Sequence, residues 1–411
     1  MFLGQGVGHL AYSTLVHPGD TWKEMRHSLE TYAPAVKARV SPDGPYGLSL
    51  RISGASAATL TDDPGERARL RRWLDEHDMY VFTVNAFPYG PFKDRIVMEH
   101  VYEPDWSTED RVIYTCQVAD ILAEIAPDSV SPSIQSAPLA FRPNVKTDED
   151  VEKLTSNVLR VVAHLIDVEH RTGRRIKLAL EPEPYCFLET TDETVAYFQD
   201  YVWSAAGIRT LCRLTALPAS EVVGLARRHL GIVFDICHQS VQFEDIAASL
   251  RMLRDSGVPI YKFQAAAALW VPCVSAEAIA SLQAFTDTIY LSQTTESRDG
   301  RLTRMLNLSD AIADWNADPG GEREWRTHFH VPVFLDDLGE LRTTRREIEA
   351  ALAVHGDIPL SDHLEIETYT WDVLPAHLKT GDITDYVCRE LEWMRDALAA
   401  TSRRKKWSRP L

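Results

Sequence analysis

Four short segments carry acids and imidazoles at spacings that can do chemistry. In IKLALEPEP, Glu181 and Glu183 are two residues apart, so on a strand both face the same side. Glu181 directly follows the apolar run and is expected at strand depth. Glu183, between prolines, is expected on the loop. In GIVFDICHQ, Asp235 and His238 form a D-x-x-H where the apolar run stops. That spacing can aim a carboxylate and an imidazole at a common cation or sugar hydroxyl. Alternatively, Asp235 caps the following helix and His238 is a hydrogen-bonded core residue. In HLEIETYTW, Glu365 and Glu367 share a face. Glu367 lies nearer the end of the run and is the better ligand or base. Thr368, Tyr369 and Trp371 follow it as a platform for a sugar ring. The alternative is an edge strand with one polar face. In RTHFHVPVF, His328 and His330 alternate with apolar residues and face one side if the segment is a strand.

Other polar residues stand where inward-facing or mouth residues are expected: His17, Arg51, Asn85, Lys262 and Gln264. Each either contacts a substrate oxygen or fills a layer of the interior. Two Glu, an Asp and one or two His meet the ligand count of a divalent site with open positions. Their oxygen and imidazole donors suit Mn²⁺, Co²⁺, Mg²⁺ or Zn²⁺.

The elements that must position these residues alternate along the chain. Eight apolar runs read as strands: HLAYSTLV, YGLSLRIS, YVFTVNAF, SVSPSIQS, IKLALEPE, GIVFDICH, PIYKFQAA and HLEIETYT. Helical stretches separate them, including TWKEMRHSLETYAPAVKARV, ERARLRRWLDEH and VEKLTSNVLRVVAHLIDVEHRTG. The last has apolar residues near i, i+3, i+4 and i+7 and stops at Gly173, a C-cap signal. Strand and helix alternating in this way predict a mainly parallel sheet, and eight strands predict a (β/α)₈ barrel over residues 1–400. Two insertions follow strand C-terminal ends, where barrel enzymes build their sites. One spans about 185–217. The other spans about 269–360 and holds two more strand-like pieces, DTIYLSQTT and RTHFHVPVF. An open doubly wound sheet lacks support, because no G-x-G-x-x-G follows the first strand.

The chain's 411 residues carry 43 Lys+Arg against 60 Asp+Glu, a net charge of −17. Such a balance excludes non-specific nucleic-acid binding, which needs clustered cations. Apolar residues at 45% and charged residues at 25% match a globular chain, not a disordered one. No run of about 18 apolar residues exists to span a membrane. The six cysteines are scattered without a C-x-x-C, so a cytoplasmic protein with reduced thiols is expected. The basic end, residues 401–411, is expected to be disordered.

The strand ends Glu181, D-x-x-H (Asp235, His238), HFH (His328, His330) and Glu367 resemble the xylose-isomerase-like barrels: sugar isomerases, ketose 3-epimerases and endonuclease-IV-type enzymes. In the epimerases a Glu, an Asp, a His and a second Glu hold a divalent metal, and the two Glu also move protons. The resemblance implies those roles for Glu181, Asp235, His330 and Glu367, with His238 contacting substrate. One departure stands out. By strand order the seventh strand is PIYKFQAA, which puts Gln264 in the metal-His position and assigns HFHVPVF to the insertion. The fourth ligand is then either His330 or Gln264.

A longer resemblance covers nearly the whole chain. TLVHPGDTW, AVKARVSPDGPYGLSLRIS, FTVNAFPYGPF, VYEPDW, THFHVPVF and ETYTWDVLP are similar to the EboE-type metabolite traffic proteins, a xylose-isomerase-like barrel family encoded in clusters implicated in moving a metabolite to the cell envelope. It implies other proteins of such a cluster as partners. A homo-oligomer is a further expectation.

Together these readings predict a metal-dependent isomerase or epimerase of a sugar- or cyclitol-like polyol. Glu181 and Glu367 would exchange protons on opposite faces of a carbon. His238, Gln264, His328, Arg51, Asn85, His17 and Trp371 would bind substrate. Phe87, Tyr89, Trp270, Tyr369 and Trp371 would form an aromatic rim that excludes water. The rival is a non-catalytic metabolite carrier on a barrel that lost turnover, a reading Gln264 favours. An endonuclease-IV-type nuclease fits poorly, because the net charge repels DNA and a His set for three zinc ions is not evident.

Overall fold

The computed structural model describes residues 1–93, 96–285 and 289–407. Its centre is a parallel sheet built from all eight predicted runs. The chain-order strands are β1 (His9–Tyr12), β2 (Tyr46–Arg51), β3 (Met79–Asn85), β4 (Ser133–Ser136), β5 (Lys177–Leu180), β6 (Leu230–Asp235) and β7 (Ile260–Ala265). Five strands then follow outside the barrel: β8 (Ala267–Val271), β9 (Thr294–Arg298), β10 (Arg301–Met305), β11 (Arg323–Val331) and β12 (Arg342–Thr343). The chain returns with β13 (His363–Ile366). The parallel order is β1-β13-β7-β6-β5-β4-β3-β2. A parallel bridge between Ser13 and Ser49 joins the two ends, so the sheet closes into a (β/α)₈ barrel.

The strands are short and their bodies are buried throughout, as in a sheet covered on both faces. The covering helices carry their own stop and start chemistry. In the helix Asp148–Thr172, Thr147 and Asp150 form a capping box. The predicted stop, Gly173, sits at φ 72°, the left-handed conformation glycine adopts without steric cost. The helix face bearing Leu154, Val158, Val162 and Leu165 is buried against the barrel.

The stretch after β5 forms no strand. It folds as helical segments Thr191–Tyr197, Phe198–Val202 and Ala205–Thr215. The stretch after β7 builds a five-stranded antiparallel sheet in the order β10-β9-β11-β8-β12. Only Ala266 separates β7 from β8, so a barrel strand runs straight into this second sheet. RTHFHVPVF forms most of β11. DTIYLSQTT is not a strand along its length. Residues 290–293 are irregular, β9 begins at Thr294, and 286–288 lie outside the described residues. The final helix is Ile383–Trp407. Residues 408–411 lie outside the described residues. Among the described residues no helix is long and apolar enough to cross a membrane.

Candidate active site

The C-terminal ends of the barrel strands open on a cavity. Its floor is polar: Asn85, Gln135, Glu181, Glu183, His238, His328 and Glu367. Its upper walls are apolar and aromatic, with Leu15, Phe87, Phe92, Tyr290 and Tyr369 among them. A small apolar cleft with a few convergent polar groups is the usual form of a small-molecule site.

Glu181 follows β5 and is held at the sheet by its own backbone N–H on Ser136 O at 3.0 Å. Gln135, from the end of β4, donates to its carboxylate at 2.5 Å. Glu367 follows β13. Its Oε1 accepts from Asn85 Nδ2 at 2.8 Å, across the mouth from the end of β3. Asp235 ends β6 and does two jobs. Its Oδ1 accepts the backbone N–H groups of Cys237 at 2.6 Å and His238 at 3.2 Å, which caps the helix Ile236–Val241. Its Oδ2 is buried and has no hydrogen-bond partner among the described residues. Carboxylate oxygens of Glu181, Asp235 and Glu367 lie within 4.8 Å of one another, all buried.

Three such carboxylates strongly oppose one another's ionisation. Burial pushes Glu181 well above the ordinary carboxylate range, and the charges of Glu367, Asp235 and Glu183 push it the same way. Burial and the Glu365 charge do the same to Glu367. Burial also raises Asp235. One cation offsets them from beneath. Lys262 on β7 is wholly buried, pairs with Glu365 Oε1 at 2.7 Å and donates to Gln135 Oε1. Its charge favours the ionised forms of Glu181, Asp235 and Glu367.

The expected divalent metal passes a test on the donor set. Asp235 Oδ2 and Gln264 Oε1 are both buried acceptors without a hydrogen-bond partner. Buried polar atoms of this kind are costly unless a ligand completes them. Asp235 stands with Glu181 and Glu367 in an oxygen-rich set suited to a hard or borderline divalent cation.

The insertion brings its histidines to the same place. His330 on β11 donates from Nδ1 to Glu367 O at 2.5 Å, and His328 meets Gln293 at 2.9 Å. The His238 ring stacks edge-on against His328 with centroids 4.6 Å apart, and its Nδ1 donates to Pro182 O at 2.8 Å. Asp235 and His330 do not line the cavity themselves, but each lies within 4.8 Å of His238, which does. Burial lowers His238 to about 3 and His330 to about 4, and drives His328 well down. All three rings are neutral near pH 7.

Several expected site residues sit elsewhere. Arg51 is buried but is spent on the loops, donating to Gly19 O, Gly90 O and Asp20 Oδ1 at 2.7, 2.9 and 3.0 Å. His17 stacks on Tyr32 with centroids 4.0 Å apart and shares a hydrogen bond with Tyr12. Trp371 packs on Tyr386, away from the cavity. Gln264 does not line the cavity; its amide donates to Glu365 at 3.2 Å inside the barrel. Of the expected aromatic rim, Phe87 and Tyr369 line the cavity. Tyr89 packs on Tyr114, and Trp270 donates to Glu324 on the second sheet.

Glu183 lies on the loop after β5, as expected, yet it is not a solvated loop residue. It is only 6% exposed and lines the cavity. Its Oε1 accepts from Tyr102 at 2.8 Å, and burial raises it to about 8. The E-P-E spacing was the signal, since it put Glu183 on the face of Glu181. Tyr102, Gln135 and Gln293 carried no such signal, because each comes from a segment whose approach to the mouth depends on tertiary folding. Arg111 shows how that approach is fixed. Its guanidinium is fully buried and donates to Ala86 O, Phe87 O and Pro104 O, which ties down the wall after β3.

No protein-family model and no curated protein matches the chain. Among solved structures, it is similar to the IolI protein with a bound zinc atom, at 12% identity over 96% of this chain and 98% of that one, TM-score 0.47. It is similar to a xylose isomerase-like TIM barrel protein from Mycobacterium smegmatis in complex with magnesium, at 9% identity over 90% and 89%, TM-score 0.44. It is also similar to the probable 3-DHS dehydratase AsbF from Bacillus anthracis, at 10% identity over 94% and 97%, TM-score 0.40.

Proposed function

We propose that this protein is a cytoplasmic, divalent-metal-dependent enzyme that isomerises or epimerises a sugar- or cyclitol-like polyol. The long segments quoted above support a place among the EboE-type metabolite traffic proteins. The observation that carries the chemistry is the trio Glu181, Asp235 and Glu367, buried within 4.8 Å of one another at the mouth. Those three would hold the cation. His330, within 4.8 Å of Asp235, and Gln264, with its unpartnered Oε1, are the candidates for a fourth donor. A bound divalent cation would polarise a carbonyl or hydroxyl oxygen of the substrate and favour ionised carboxylates.

The chain's own groups would then move the protons. Glu181 and Glu367 reach the cavity from the ends of β5 and β13, and would flank a bound substrate carbon. One would take a proton from carbon and the other would return one, and burial, which raises both carboxyls above the ordinary range, favours their holding a proton. Asn85 and Gln135 hold the two carboxylates in place. His238, with Nδ1 committed to Pro182 O, is left with Nε2 to orient a hydroxyl. Phe87, Phe92 and Tyr369 line the cavity and would exclude water from a bound ring.

The test is proton exchange in D₂O. A panel of ketoses and cyclitol ketones is incubated with metal-loaded protein and followed by NMR. Deuterium entering at carbon next to a carbonyl supports the reading, and Glu367→Gln should abolish it with the fold retained. Wild-type exchange in that variant sinks the proton-transfer role. Tight binding of a polyol without any exchange favours the carrier, the reading that Gln264 in place of a histidine supports.

A further inference from the structure

The two histidines of β11 meet through the wrong atoms for a simple hydrogen bond. His330 Nδ1 lies 2.5 Å from Glu367 O, a carbonyl, so that nitrogen carries the hydrogen. His328 Nδ1 lies 2.9 Å from Gln293 Oε1. The Gln293 amide is fixed in that orientation, because its Nε2 donates to Pro184 O at 3.2 Å and to the Tyr102 phenolic Oη at 3.0 Å. Tyr102 has given its own hydrogen to Glu183. His328 therefore also carries its hydrogen on Nδ1. Both neutral rings are left with a bare lone pair on Nε2, and those two nitrogens face each other at 3.2 Å, buried.

Two buried lone pairs at that distance repel unless a cation lies between them. Nitrogens bound to one tetrahedral zinc at about 2.0–2.1 Å stand about 3.3–3.4 Å apart, close to the spacing of this pair. Their outer nitrogens rest on carbonyl oxygens, the arrangement that sets the tautomer of a metal-binding histidine. A third donor is at hand. The Sγ of Cys237, wholly buried, lies within 4.8 Å of a ring nitrogen of each.

We propose that Cys237, His328 and His330 form a second cation site, one that takes a thiophilic, borderline divalent ion such as Zn²⁺ or Co²⁺. It lies beside the carboxylate site, which keeps Glu181, Asp235 and Glu367, and it withdraws His330 as that site's candidate fourth donor. The mouth would then hold an oxygen-ligated ion beside a nitrogen- and sulfur-ligated one. The second ion would tie the insertion strand β11 to the helix that follows β6.

Cobalt reads this site without any assay of turnover. Full-length protein is stripped with a chelator, loaded with Co²⁺ and examined by absorption spectroscopy and metal counting. A thiolate-to-cobalt charge-transfer band is expected, because only a coordinated Cys gives one. Cys237→Ser should lose that band and one equivalent of metal. His328→Gln should weaken binding of the same ion at least tenfold. Glu181→Gln with Asp235→Asn should keep the band while losing the other equivalent. Circular dichroism checks that each variant folds, and Cys237→Ala serves if the Ser variant does not. The proposal is overturned if wild type gives no such band. It is overturned equally if the band survives in Cys237→Ser, or if the Glu181→Gln/Asp235→Asn protein binds no metal while folded. Failure of the carboxylate site alone reads differently, as a single ion that keeps the thiolate band.

Discussion

Asn85, the last residue of β3, donates its Nδ2–H to Glu367 Oε1 at 2.8 Å across the barrel mouth. The same Asn turns its Oδ1 back to accept the Phe87 N–H at 3.1 Å. One side chain thus fixes both a candidate proton carrier and the wall of the cavity above it.

Asn85→Ala should therefore reduce activity more than stability. Loss of an orienting contact of this kind costs about 10–100-fold in activity or metal affinity. The measurement is metal affinity by calorimetry, together with the rate of deuterium exchange. An affinity and rate within twofold of wild type would show that Glu367 needs no such support.

In chelated protein, stability should fall as pH rises from about 6.5 to about 8. Burial raises Glu183 from 4.5 to about 8, and Glu181, Asp235 and Glu367 are raised with it. A carboxyl with a raised folded pKa contributes stability that is fully present below its unfolded value and is lost as pH climbs through the folded value. His238 and His330 act oppositely. Their folded values near 3 and 4 lie below the unfolded 6.5, so their contribution is lost as pH falls. Below about pH 6.5 the two sets oppose each other, and above it only the carboxyls titrate. Each contributes a slope of about 1.4 kcal/mol per pH unit across its window. Thermal melts across this range in chelator, repeated with excess divalent cation, check the claim. The cation should flatten the dependence, and an unchanged slope would contradict metal binding by these carboxylates.

Lys262 and Glu365 form an ion pair that is entirely buried in the barrel. Removing one partner leaves the other charged and uncompensated, at a cost of about 3–5 kcal/mol. Lys262→Met should show that loss in urea denaturation. Adding Glu365→Gln should restore most of it, because Ser49 and Gln264 still contact the neutral side chain. A double variant no more stable than the single one would mean that Lys262 acts chiefly on Glu181 and Asp235.

The sequence by itself determined the barrel and the acids at its mouth. Eight apolar runs separated by helical periods leave few topologies, and a strand's two-residue repeat fixes which side Glu181, Glu183, Glu365 and Glu367 face. Polar residues just past the ends of such buried runs, as at Glu181 and Glu367, are expected at the mouth. Tertiary structure alone decided the rest. His17, Arg51 and Trp371 have the right residue types, but their partners are loops and helices far along the chain, among them Tyr32, Gly90 and Tyr386. Conversely, His328 and His330 follow β6 by roughly ninety residues and belong to another sheet, yet β11 carries them onto His238. Local periodicity sets a side chain's face; only packing between distant segments sets which faces meet, and the tautomers of the two β11 histidines depend on carbonyls that no local pattern encodes.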